Sequence, residues 1–217
     1  MRVLILYANP VATSFGAALH QQAVKALQAG GHDIDDCDLY AERFDPILSE
    51  QERVRYHNIR VNREPVADYA DRLLAAEALV LVYPVWNEGF PAILKGFFDR
   101  VFIPGVSFNV AADGAPVSNL QKLQKLAPVC TYGPSRAITF LLGDPPKRVV
   151  KRTSASCSPT LVARRFQEHL RQQPRGWHQV DRLPDHQQHG AFGRDHRLWT
   201  VRLHGFVRSC DRLQRNR

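Results

Sequence analysis

The chain predicts an α/β fold built on an open, doubly wound parallel sheet. Three observations carry this. Val3-Leu4-Ile5-Leu6 and Ala78-Leu79-Val80-Leu81-Val82 are continuous apolar runs, as expected of strands covered by helices on both faces. An amphipathic helical pattern lies between them, and a proline-started helix follows the second run. Strands alternating with helices make parallel sheets, which bind ligands beyond the carboxyl ends of their strands.

Val3 to Leu6 forms the first strand. Phe15, Leu19, Ala23 and Leu27 recur at four-residue spacing, which predicts a helix from Ser14 to Ala29 stopped by Gly30-Gly31. Ile34 to Leu39 supplies a short, more polar second strand, and Ala78 to Val82 the third. Pro91 suits a first helical position, with Leu94, Phe97 or Phe98, and Val101 on the buried face. Leu126 to Thr131 reads as the fourth strand, although Pro128 lacks the donor that a central strand uses.

A chain of 217 residues can bury one substantial core plus an extension. Residues 1–151 carry 16 basic and 16 acidic side chains, whereas residues 152–217 carry thirteen Arg, no Lys, six His and five acids. The net +8 therefore belongs to the second segment. The division predicted is one domain over 1–151 and an Arg/His-rich C-terminal segment over 152–217, in which the periodicity disappears. Arg164 to Leu170 could form a helical turn or two, and Trp199 to Leu203 a strand. The composition favours a reading frame shifted near Arg152, because a GC-rich gene read out of frame yields Arg, His, Pro and Gln while avoiding Lys. A divergent or disordered basic tail is the alternative.

Cys37, Cys130, Cys157 and Cys210 form no C-x-x-C pair, which suits reduced thiols in a cytoplasmic protein, with Cys37 and Cys130 as small core residues. The apolar run after Met1-Arg2 is too short for a signal peptide, and no window approaches a membrane span. His178, His186, His189 and His196 lack the ordered spacing of a metal site. The Arg-rich segment contains no nucleic-acid-binding module, so neither a metal nor a nucleic acid is expected.

Two loops stand out. Asn9 to Phe15 follows the first strand and opens the first helix, where unsatisfied backbone N–H groups can hold a phosphate, helped by the hydroxyls of Thr13 and Ser14. The plainer reading makes Ser14 only a helix cap. The stretch from Tyr83 to Val101 (Y-P-V-W-N-E-G-F-P-A-I-L-K-G-F-F-D-R-V) leads from the third strand through an aromatic-rich loop suited to a flat ring.

That stretch, with Ala8 to Leu19 and Asp38 to Ser49 (D-L-Y-A-E-R-F-D-P-I-L-S), resembles the flavodoxin-fold NAD(P)H:quinone oxidoreductase family. The family includes the drug-activity modulator flavoproteins and the ancillary subunits of potassium-efflux systems. The resemblance runs from Met1 to about Lys151. It implies a flavodoxin-like sheet of strand order 2-1-3-4-5, with the fifth strand left to the segment after residue 151. It also implies FAD (or FMN) as cofactor and NAD(P)H as a transient electron donor. The cycle implied is ping-pong, with hydride passing to flavin N5 and two electrons then passing to a quinone or similar flat acceptor. There is no G-x-G-x-x-G fingerprint and no Walker loop, so the nicotinamide would bind over the flavin and not in a site of its own. A homodimer is implied, in which Tyr56, Phe102 and Phe108 face the partner or belong to the core.

Residue by residue, Thr13, Ser14, Phe15 and Gly16 match the flavin-phosphate loop, with Asn9 and Gly16 in place of the family's His and Asn. Pro84, Val85, Trp86 and Asn87 match the segment along the isoalloxazine edge, where backbone N–H groups near N5 and O4 tune the ring. Thr131, Tyr132 and Gly133 match the loop at the other edge, with Pro134 in place of a glycine. Quinone reductases carry a Tyr and a His after that loop, and Ser135 to Asp144 holds neither, so no catalytic side chain is assigned. Two further readings are a regulatory flavoprotein subunit of a potassium-efflux antiporter and a protein inactivated by its altered C-terminus.

Overall fold

The computed structural model describes residues 1–133, Thr139, Leu141, residues 143–150, Val162–Ala163 and Phe166–Gln167. The elements are β1 (Arg2–Tyr7), α1 (Phe15–Ala29), β2 (Asp33–Asp38), α2 (Glu50–Arg55), α3 (Ala67–Ala75), β3 (Ala78–Pro84), α4 (Ala92–Val101), β4 (Phe108–Val110), β5 (Pro116–Ser118), β6 (Lys125–Thr131), β7 (Val162–Ala163) and β8 (Phe166–Gln167). Residues 145–150 are helical.

Strands β2, β1, β3 and β6 lie side by side and run parallel, and β4 and β5 form a separate antiparallel hairpin. Alternate residues of the central strands enter two separate cores, because a strand's side chains point to opposite faces. Leu4, Leu6, Leu79, Leu81 and Leu126 pack with Leu73 of α3 and Leu94, Phe97 and Val101 of α4. Val3, Ile5, Val80, Val82 and Val129 pack with Ala17, Leu19 and Leu27 of α1. Both faces are thus covered, which is why these strands read as unbroken apolar runs.

β7 and β8 run parallel to β6 along its outer edge, pairing Lys125 and Leu126 with Val162 and Ala163, and Val129 and Cys130 with Phe166 and Gln167. The four long parallel strands follow the expected order 2-1-3-4, and these two short pairings lie on the side where a fifth strand was expected. Pro128 sits inside β6 opposite Leu81. The outer-edge pairs among the described residues are made by Lys125, Leu126, Val129 and Cys130.

Phe166–Gln167 is strand, which corrects the helical turn expected from Arg164 to Leu170. The open ladder of β6 decides the local conformation there over any helical periodicity. The expected strand at Trp199 to Leu203, the four tail histidines and Pro134 lie outside the described residues. α2 and the β4–β5 hairpin have no counterpart in the sequence reading. Cys37 and Cys130 are buried free thiols, as expected. Tyr56 and Phe102 are partly buried and pack on the α3–α4 core.

Candidate functional site

The three loops singled out in the sequence meet at one edge of the sheet, because β1, β3 and β6 are neighbours that end together. Tyr7 is opposite Val82, and Pro84 is opposite Thr131. Past the strand ends, the Ala8 N–H donates to Val82 O (2.9 Å) and the Val85 N–H to Thr131 O (2.8 Å). β2 flanks β1 on one side and β3 on the other, so this edge is the topological switch point.

The first loop runs from Ala8 to Ser14. Ser14 caps α1, its Oγ accepting from the Ala17 N–H at 3.1 Å, so the cap reading and the phosphate reading describe the same residue. No acidic side chain stands in the first turn of α1, and the positive end of the helix is left for an anion. Asn9 Oδ1 accepts from the Val11 N–H (3.0 Å) and closes a tight turn. Its Nδ2 lies where a side chain on Gly16 would begin: a Cβ there would stand 2.7 Å from it. The two departures from the family pattern are therefore one exchange, in which the Asn9 amide fills the space left by Gly16. Thr13 is exposed and Phe15 packs partly into the α1 core. Beneath the loop, the buried Tyr7 hydroxyl faces Ser14 without completing a hydrogen bond, and burial pushes its pKa up to about 12.

The second loop turns at Trp86–Gly89, whose backbones exchange hydrogen bonds (Trp86 N–H to Gly89 O, 3.2 Å; Gly89 N–H to Trp86 O, 2.9 Å). A two-residue turn of this hand needs positive φ at both central residues, and Asn87 (48°) and Glu88 (58°) supply it. Pro84 is buried, and Trp86 at 44% exposed presents an open aromatic surface. Phe90 fixes the loop from behind, edge-on to Tyr83 (5.0 Å) and stacked on Phe98 (5.3 Å). The N–H groups of Val85 and Trp86 are spent on Thr131 and Gly89, because the hairpin and the strand pairing claim them first. The turn amides left without a backbone acceptor are those of Asn87 and Glu88.

In the third loop Thr131 is half-buried and Gly133 exposed, while Tyr132 turns inward. Its hydroxyl donates to Asp144 Oδ1 at 2.9 Å, so the Tyr132 side chain is held inward, away from the crevice. Asp144 in turn stands at the head of helix 145–150, where the Lys147 N–H reaches its Oδ1 at 3.4 Å. Cys130 lies between Tyr83 and Tyr132, its thiol pushed up to about 12 by burial, so it is inert as a nucleophile. The sequence reading assigned no role to Tyr7, Glu88 or Asp144. Only Glu88 carried a signal, as a bulky acid in a two-residue aromatic-flanked turn.

Among the described residues no group of three or more His, Cys, Asp or Glu could hold a metal, and no helix is long and apolar enough to cross a membrane.

Comparison with known proteins agrees with this architecture. An uncharacterized NAD(P)H oxidoreductase of Haemophilus influenzae is 37% identical over 125 residues, covering 57% of this chain and 61% of that protein. NAD(P)H dehydrogenase [quinone] 1 of Cavia porcellus is 32% identical over 161 residues, covering 65% and 57%. The chain therefore spans about three-fifths of the length of these relatives. The solved NAD(P)H:quinone oxidoreductase from Methanothermobacter marburgensis superposes with a TM-score of 0.61 at 24% identity, covering 76% of this chain and 86% of that one, which bears on fold alone. Residues 1–139 match the sequence model of the flavodoxin-like fold. With its parallel order and its three loops at the switch point, the chain belongs to the flavodoxin-like fold family.

Proposed function

We propose that the chain is a flavin-dependent NAD(P)H oxidoreductase that passes two electrons to a quinone or similar flat acceptor, acting as a homodimer. The observation that carries this reading is the convergence of a helix-opening loop, an open aromatic hairpin and a backbone-lined loop on one sheet edge. The names borne by the two relatives support it.

The residues present fit a flavin. The first turn of α1, free of acidic side chains, and the Ser14 hydroxyl suit its phosphate. Trp86 offers an apolar face, and the Asn87 and Glu88 amides and the backbone of Thr131 and Gly133 offer polar contacts to the ring edges. When bound, the flavin supplies the hydride-accepting atom and the two-electron store, so no side chain need act as nucleophile. The chain's part is placement: Phe90 and Phe98 brace the hairpin, and Asp144 pins Tyr132 and with it the third loop. FAD is preferred over FMN on the resemblance of the first loop. Residues 152–217 are read as a segment from a shifted frame, and resequencing that finds no single-base change restoring a family-like end would overturn that part.

The test is the visible absorbance of the purified protein, before and after FAD or FMN, then NADPH without oxygen. A flavin band that bleaches, and recovers when a quinone is added, is the expected outcome. A protein that takes up neither flavin refutes the reading.

A further inference from the structure

The hairpin tip carries a group that flavin binding does not use. Glu88 holds a left-handed backbone (φ 58°) that bulky side chains rarely adopt, and such conformations persist where surrounding structure enforces them, often at ligand sites. Its carboxylate is half sealed, since Oε2 is buried with no hydrogen-bond partner. Other carboxylates of the domain are matched differently: Glu52 and Asp45 by Arg100, Asp35 and Glu42 by Arg72, and Asp71 by Arg63. No cation pairs with Glu88 among the described residues, although an unmatched, partly desolvated carboxylate is unfavourable. It stands two residues from the exposed Trp86, at the carboxyl end of β3.

We infer that Glu88 is a specificity-determining residue for the acceptor. Its carboxylate receives a hydrogen-bond donor or a positive charge carried by a flat aromatic molecule stacked beside Trp86. The acceptors favoured are then amino-, hydroxyl- or cation-bearing rings, and carboxylated or sulfonated rings are excluded by like charge. This rests on the oxidoreductase reading, and it adds the substrate class of that site.

Flavin-loaded protein is assayed with three naphthoquinones: unsubstituted, sulfonated, and bearing a trimethylammonium-methyl group. The expected result is a kcat/KM about tenfold higher for the cationic than for the anionic quinone, set mainly by KM and weakened by salt. In Glu88→Gln the ratio falls to near one. Glu88→Gly, which suits the left-handed backbone, gives the same loss and controls for folding. Binding is read separately, without electron transfer, from the dissociation constants of N-methylacridinium and acridine-9-carboxylate. The same cation preference, lost in both variants, is expected. An unchanged ratio in Glu88→Gln with unchanged dye affinities would overturn the inference and leave Glu88 a turn residue. Failure to take up flavin or to reduce any quinone would refute the oxidoreductase reading instead, while the dye comparison still decides the role of Glu88.

Discussion

Tyr132 shows how a single buried side chain can anchor a loop at the sheet edge. Its hydroxyl is buried against Asp144, and burial, Cys130 and Asp144 together push its pKa far up, so it stays a neutral donor at any physiological pH. Tyr132→Phe takes that donor from a buried carboxylate, which should cost about 1–3 kcal/mol. Urea denaturation reads the cost, and a flavin titration should show weaker binding, because the third loop loses its anchor. At Gly96 the constraint is steric: an added Cβ would stand 2.3 Å from the Pro46 carbonyl oxygen, which is backbone and cannot swing aside. Gly96→Ala should destabilise the protein by about 2–3 kcal/mol, read as a lower urea midpoint.

At the scale of elements, α2 is held by polar chemistry. It buries no residue, yet Ser49 and Glu52 form a reciprocal capping box and Arg100 of α4 reaches Glu52 at 2.7 Å, tying α2 to the helix behind the ring loop. Burial acts to raise the Glu52 pKa, but the hydrogen bonds from Ser49 and Arg100 outweigh it and hold the carboxyl below its usual value. A depressed carboxyl stabilises the fold above its unfolded pKa and loses that contribution as pH falls through its folded value. Wild type should therefore exceed Glu52→Gln in stability near neutral pH, and the two urea midpoints should converge as pH drops below about 4.

Sequence patterning foretold elements of one kind and missed another. β1, β3, α1 and α4 were visible because burial on both sheet faces, or on one helix face, writes a period into the residue order. α2 escaped because its six residues, Glu50 to Arg55, are all but one polar, although S-x-x-E at Ser49–Glu52 is a capping signature that was there to be read. The β4–β5 hairpin is only three residues a side, too short to show alternation. In the site, the loops could be placed from motif order, but the spending of the Val85 and Trp86 amides depends on partners at Thr131 and Gly89, one of them 46 positions away, and no local pattern encodes it.

For the whole molecule, the outer edge of β6 pairs with residues from beyond residue 151, while the three loops at the sheet's carboxyl edge all come from residues 8–133. Ending the chain at residue 151 would bare the edge of β6 and remove its outer ladder. Each net hydrogen bond is worth about 0.5–1.5 kcal/mol, so the shortened chain should unfold at lower urea and associate more readily, as gel filtration with light scattering would show.

The pairing along the outer edge of β6 has an evolutionary reading. β7 and β8 meet β6 through main-chain groups, which every amino acid other than proline possesses in the same form. Such an edge recognises extended backbone and is nearly indifferent to spelling. The residues that pair with β6 can then change in identity while the loops at the carboxyl ends of the other strands are kept, so the two parts of the gene are free to age at different rates.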